Sequence, residues 1–321
     1  MLLTVTPNAA IDRTYMFGAF RLNQVNRPTD MRVSAGGKGI NVARVFHRLG
    51  GSVATTGFLA GEAGHAIQAW IEEEGLHPAF EWLPGESRTC ITAMSRKGST
   101  QTELNECGPD AQQASGRLLA RIERMTRDLP ADTVALCGSL PENAPESLFA
   151  DAVCLVQAAG RRAVVDTSAP SLTSCLAAKP WVVKVNRIEA ERALGIAIAP
   201  GVAAELARAA RELRLHGARI AVVTDGGAGA ALACSAGTWF AAPPTIRFKS
   251  AVGSGDAFFA GLLFSISAAP EADSACQALQ LATAAGAANA EVIGSGFCTR
   301  RRILTLLPRV NVVRCPQPMS A

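Results

Sequence analysis

Aromatic side chains are scarce in this sequence, with one Tyr and four Trp in 321 residues and 5% aromatics in all. Paired metal-ligand spacings are missing too: the four His stand apart and the nine Cys never fall in a Cys-x-x-Cys pair, so there is no zinc-site pattern. Neither sign of charge prevails, with 31 Lys and Arg against 27 Asp and Glu for a net charge of +4. A chain without a basic stripe, and with few rings for base stacking, gives no reason to expect nucleic acid as a partner. No apolar run reaches the roughly 18 residues of a membrane span, so no membrane partner is expected. The opening Met1–Pro7 has no basic residue ahead of its apolar ones and soon meets Asp12 and Arg13, as a strand does and a signal peptide does not. The Cys residues at 90, 107, 137, 154, 175, 234, 276, 298 and 315 are spread out, several within apolar runs. That usage fits reduced, buried fillers in a cytoplasmic protein.

Apolar residues are plentiful, at 49% of the chain, enough for one large α/β domain or two smaller ones. Leu2–Thr6 is β-rich and stops at Pro7-Asn8, which marks a first strand. From Asp12 to Val33 polar and apolar residues mix without a helical period, as in short strands outside the core. Arg88 to Glu103 alternates like a hairpin. These segments, about 12–33 and 87–104, are expected to pair as a small sheet. With no low-complexity linker to divide the chain, that sheet is a lid on a single domain over 1–321. Val53–Phe58 reads as another strand and Ala63–Gly75 as a helix.

Val134–Cys137, Ala163–Asp166, Trp181–Val185 and Ile220–Thr224 are short, continuous apolar runs with helical stretches between them. They suit the strands of a mainly parallel sheet covered by helices on both faces. Their ends carry Gly138-Ser139-Leu140-Pro141, Asp166-Thr167-Ser168, Asn186-Arg187-Ile188-Glu189 and Asp225-Gly226-Gly227-Ala228-Gly229, which should line one ligand crevice. An alanine-rich helix over 275–290 and a last helix near 300–307 follow. The Pro-containing end reads as frayed.

Two glycine-rich helix starts stand out. In Ser250–Gly261 two glycines flank Ser254, Asp256 follows, and apolar residues then recur at helical spacing. Orphan N–H groups at such a turn can hold an anion, and a carboxylate at its lip can take a proton from a hydroxyl. Asp256 also suits a plain helix cap, and the stretch by itself leaves both roles open. In Ser34–Gly50 a second glycine loop enters a helix marked by Ile40, Val42, Val45, Phe46 and Leu49. It is no Walker P-loop, because Arg32 and Gly39 stand where glycine and Ser or Thr are required. It is no dinucleotide fingerprint either, because Val42 replaces the third glycine.

GGKGINVAR and VGSGDAFFAG, with GSLP, VNRIE and TDGGAGA between them, resemble the motifs of ribokinase-like carbohydrate kinases of the phosphofructokinase B type. The resemblance runs nearly the whole chain. Pro7–Asp12, Val25-Asn26-Arg27, Gly85–Ile91, Gln101-Thr102-Glu103 and Gly108-Pro109 make it most similar to the tagatose-6-phosphate kinase and 1-phosphofructokinase branch. The resemblance implies a three-layer α/β/α fold with a mainly parallel central sheet and a β-sheet lid. It also implies an ATP- and Mg²⁺-dependent transfer of phosphate to a ketohexose phosphate. On it, Asp256 is the base and Gly253, Ser254 and Gly255 form the anion hole. Asp12, Gly36, Gly37 and Asn41 hold the sugar, and Arg27, Arg88, Lys38 and Ser139 hold its phosphate, Lys38 alternatively reaching the nucleotide.

Asn186, Thr224, Gly226, Gly229 and Asn289 match nucleotide positions, and Glu189 orients Mg²⁺ through water. Asn186 and Glu189 equally suit a helix cap and its first-turn acid. Val185 departs from the family's proline, and Asp225 places an acid where relatives carry a small or apolar residue. A K⁺ ion near Ala251 and Val252 and a homodimer through the lid are further implications. A kinase for free sugars or nucleosides, and a non-catalytic sugar-phosphate sensor, are the competing readings.

Overall fold

The structure, a computed structural model, describes residues 1–97, 100–266 and 272–316. Its central sheet runs in the order 311–314, 237–242, 230–234, 220–224, 182–186, 162–166, 133–137, 2–6, 53–60 and 77–78, with 81–83 also pairing with 53–60. From 220–224 across to 77–78 every pairing is parallel, and the three strands at the other edge are antiparallel. This is the three-layer α/β/α architecture that short, doubly buried apolar strands imply.

Neighbouring residues on one strand feed opposite faces. Leu2 belongs to the core under the helices Lys38–Arg48, Ser254–Ser265 and Ala272–Asn289, while Leu3 and Val5 belong to the other core. That second core also holds Leu118, Leu172 and Leu206 from the helices on its side. The Ser254 helix is buried nearly all round, from Asp256 to Leu262. It lies so close to the alanine-rich helix that a methyl group on Gly261 would stand 3.0 Å from Ala282 and Ala285. Small residues permit this approach, which fixes the helix carrying Asp256 from behind.

A separate four-stranded sheet forms from Ala10–Phe17, Asp30–Gly36, Arg88–Ser95 and Thr100–Asn105. Ala10–Phe17 pairs antiparallel with Asp30–Gly36 and parallel with Arg88–Ser95. The two lid segments do pair, though the first is longer and less detached than a strip of external strands, because Ile11, Thr14, Met16 and Phe17 are buried.

The frayed end is corrected. Asn311–Arg314 is a strand on the outer edge of the main sheet, bonded to Gly237–Ala242. Residues 317–321 lie outside the described part of the chain.

Candidate active site

The ends of the parallel strands and the two glycine-started helices meet in one place. Gly253 caps the Ser254 helix in a left-handed conformation (φ 71°) with no side-chain cap bond. Its Cα rests against Ser295, so any side chain would collide there as well as strain the backbone. Within this turn the Ser254 N–H is bonded back to Ala251 O at 3.1 Å, while no side chain caps the N–H groups of Gly253, Gly255 and Asp256. In the same turn Asp256 is buried, and its Oδ2 accepts a hydrogen bond of 2.8 Å from Asn41 Nδ2, 215 residues away in sequence. Burial, then the charge of Asp166, raises the Asp256 carboxyl above its ordinary range, while Lys38, Lys184 and the Asn41 bond pull it back.

Behind the loop lies a charged triad only partly visible in the motifs. Asp166, fully buried at the end of its strand, accepts from Lys38 Nζ at 2.7 Å and from Lys184 Nζ at 2.8 Å. Burial alone would raise the Asp166 carboxyl, but the two ammonium groups outweigh it and hold the carboxyl below its usual range. Lys184 reaches Gly255, where a Cβ would stand 3.0 Å from its Nζ. A cation is thus fixed beside the Gly253–Gly255 turn, where it could neutralise an anion bound there. Lys38 also lies 3.5 Å from Glu189 Oε1. Of its two readings, this favours the nucleotide side.

At the end of the lid strand, Gly36 lets the Asp12 carboxyl lie directly on its Cα, a space that a Cβ would occupy. Asp12 is raised to about 7, mainly by burial and opposed chiefly by Arg44. Gly37 starts the Lys38 helix at φ 106°, again with no side-chain cap. Arg88 donates to the carbonyl of Asn8 at 3.1–3.2 Å, and Asn8 Nδ2 reaches Ser139 Oγ at 3.3 Å. Arg88 and Ser139 are therefore joined through Asn8, which the motifs did not single out. Arg27 is exposed on the connection between two lid strands.

Asn186 and Glu189 form a closed capping box. Asn186 Oδ1 accepts from the Glu189 N–H and Glu189 Oε2 from the Asn186 N–H, both at 2.8 Å. Glu189 Oε1 remains turned toward Lys38. Thr224 Oγ1 donates to Val185 O at 3.4 Å, and Gly226 and Gly229 bracket a single tight turn. Asp225 does not confront an anion, because Arg187 and the Gly201 N–H hold its carboxylate. Asn289, a nucleotide position on the resemblance, lies just behind the Gly253 loop. It is fully buried, with its amide donating to Val252 O and accepting from the Gly296 N–H, so it braces the anion loop from behind.

The pfkB family model of carbohydrate kinases matches residues 5–302. This chain belongs to that family. It is a phosphotransferase acting on a sugar hydroxyl, of a family that uses ATP and a metal ion. It is 34% identical over 315 residues to the 1-phosphofructokinase of Rhodobacter capsulatus, covering 98% of each chain. Among solved structures it resembles phosphofructokinase-2 from Escherichia coli in complex with substrates and products (TM-score 0.85, 22% identity, 96% and 98% covered). That enzyme is also known in complex with potassium and in a tetrameric inhibited form. A Thermotoga maritima protein described as a possible 1-phosphofructokinase is similar too (TM-score 0.83, 24% identity, 98% and 100% covered). Among the described residues no helix is long and apolar enough to cross a membrane.

Proposed function

We propose that this kinase transfers the γ-phosphoryl group of ATP to the free primary hydroxyl of a ketohexose phosphate, fructose 1-phosphate first and tagatose 6-phosphate second. The observation that carries the reading is the placement of the Asp256 carboxylate, held by Asn41, in the same turn as the uncapped Gly253–Gly255 amides. Asp12, Gly36, Gly37 and Asn41 hold the sugar hydroxyls, and Arg88 with Ser139 holds the sugar's own phosphate. A guanidinium suits that phosphate through paired donors. The substrate hydroxyl gives its proton to Asp256 while its oxygen attacks the γ-phosphorus, and the bond to the β-phosphate oxygen breaks to release ADP. The amides of Gly253, Gly255 and Asp256, with Lys184, take up the charge on the transferring group.

Thr224, Gly226 and Gly229 line the nucleotide, and Lys38 reaches its phosphates. The donor set suits Mg²⁺. Among the described residues no three acids, His or Cys gather as an all-protein cage, and Mg²⁺ keeps its waters and leans on one or two carboxylates plus substrate phosphates. Glu189 would hold it through water, and the ion would neutralise phosphate charge. The Val252 carbonyl, with one lone pair taken by Asn289, retains a second for a monovalent cation. The lid exposes Leu22, Val25, Met31 and Leu104, a surface suited to a second copy of the chain, which light scattering would detect as a dimer.

The test is ADP release with fructose 1-phosphate, tagatose 6-phosphate, fructose 6-phosphate and their unphosphorylated forms, run beside Asp256→Asn and in K⁺ or Na⁺ buffers. Turnover confined to phosphosugars supports the reading. Equal turnover of free sugars, unaffected by Arg88→Ala, contradicts it.

A further inference from the structure

We propose that Arg44 is a positioning residue for the reaction, orienting Asn41 so that Asn41 can hold Asp256. This rests on Asp256 being the base. Arg44 lies one turn beyond Asn41 on the Lys38 helix, is only 1% exposed, and does not reach the crevice itself. All five of its N–H donors are spent. Nε and Nη2 grip the two oxygens of Glu74, the second at 2.9 Å. Nη2 also donates to Ala35 O at 2.7 Å, and Nη1 donates to Asn41 Oδ1 and Ser295 O, both at 2.9 Å.

A guanidinium offers donors only, so Asn41 can face it only with its carbonyl oxygen. That choice turns Nδ2 toward Asp256, the one direction in which an amide attracts a carboxylate. With the amide reversed, an oxygen would meet the Asp256 carboxylate and an NH₂ would meet the guanidinium, two repulsive contacts in a buried place. Arg44 therefore decides which way the amide points. Asn41 in turn occupies Asp256 Oδ2, leaving Oδ1 for the hydroxyl proton.

The other two carbonyls that Arg44 holds belong to the same machinery. Ala35 immediately precedes Gly36, on which Asp12 rests, and Ser295 is the residue packed against Gly253. One side chain thus ties the sugar-holding strand end, the Asn41 helix and the backing of the anion loop. A lysine could not substitute, because its three donors on a single nitrogen cannot span this arrangement.

A buried Arg–Glu pair can also serve stability alone, and kinetics separates the two roles. A double-mutant cycle in kcat with Asn41→Ala and Arg44→Met is the experiment. Acting through Asn41, Arg44→Met lowers kcat on the order of tenfold to a hundredfold with little change in KM for ATP. In the Asn41→Ala background the same substitution costs less than about threefold, since the step it controls is already lost. Arg44→Lys, which keeps the charge and guards against failure to fold, is expected to rescue little. Arg121→Met, which breaks a different Arg–Glu pair, with Glu81, is expected to leave kcat within about twofold, as for a side chain that shares no partner with Asn41. Equal losses in both backgrounds, full activity in Arg44→Lys, or an equal loss in Arg121→Met would overturn the proposal. An Asp256→Asn enzyme at full activity would instead overturn the underlying assignment of the base.

Discussion

Two helix N-termini lie within reach of Lys38, and they dispose of their spare N–H groups in opposite ways. At Arg187–Leu194 the start closes on itself, Asn186 and Glu189 each satisfying the other's backbone. At Ser254–Ser265 the cap is a glycine without a side chain, and the first-turn acid turns away to Asn41. Both starts carry an acid in the first turn, so local composition barely distinguishes them. What differs is where the acid finds its partner. A local partner makes a cap, whereas a partner 215 residues away leaves the N–H groups and one carboxylate oxygen for a substrate.

Substitutions at the open start should cost catalysis, and those at the closed start should cost stability only where they break the reciprocal cap. The largest effect is expected from Asp256→Asn, a loss on the order of a hundred- to ten-thousandfold in kcat, with ATP affinity retained in a calorimetric titration. Gly253→Ala should follow at about a hundredfold, because a strained cap pressed on Ser295 moves the amides that hold the phosphoryl group. Stopped-flow ADP release would measure it. Arg88→Ala should raise KM for the phosphosugar by about tenfold or more, the loss of a charged hydrogen bond, and leave KM for ATP unchanged.

Asp12 adds a pH dependence. Its carboxyl titrates near 7 in the folded chain against an ordinary value of 3.8, so the folded state holds a proton that the unfolded state releases in between. Stability should therefore fall as pH rises from about 4 to about 7. Asp12→Asn should remove that decline, a change on the order of 1–2 kcal/mol because the carboxyl is partly in water. Thermal melts at pH 4.5 and 8 would show it. The smallest effect sharpens the contrast most. Glu189→Gln keeps the reciprocal cap and should leave the melting temperature nearly unchanged while raising the Mg²⁺ needed for half-maximal rate. Glu189→Ala should also lose about 1 kcal/mol of stability.

The architecture was largely legible because strands such as Val134–Cys137 and Ala163–Asp166 are too short and too apolar for anything but a doubly covered sheet. The two glycine loops were legible because no side chain could occupy Gly36 or Gly253. The polar wiring was not. Asp166 reads as one acid at a strand end, and only the register of the strands sets it between Lys38 and Lys184. Asn289 reads as a polar residue near the end of a helix, and its partners Val252 and Gly296 follow only from tertiary packing. Arg44 left a faint signal: an arginine one turn after Asn41, on the same polar side of the helix as Arg48. The strand Asn311–Arg314 was hidden by its exposure, since an edge strand buries little and shows no alternation.

The central claim is that the carboxylate of Asp256 and the amides of Gly253, Gly255 and Asp256 act on one reacting group. A crystal structure with fructose 1-phosphate, ADP, Mg²⁺ and a planar fluoride mimic of the phosphoryl group tests it most directly. The account predicts the acceptor hydroxyl about 2.6–3.2 Å from Asp256 Oδ1, with the mimic seated on those amides. A hydroxyl bonded to a different base, or a mimic bound away from Gly253–Gly255, would contradict it.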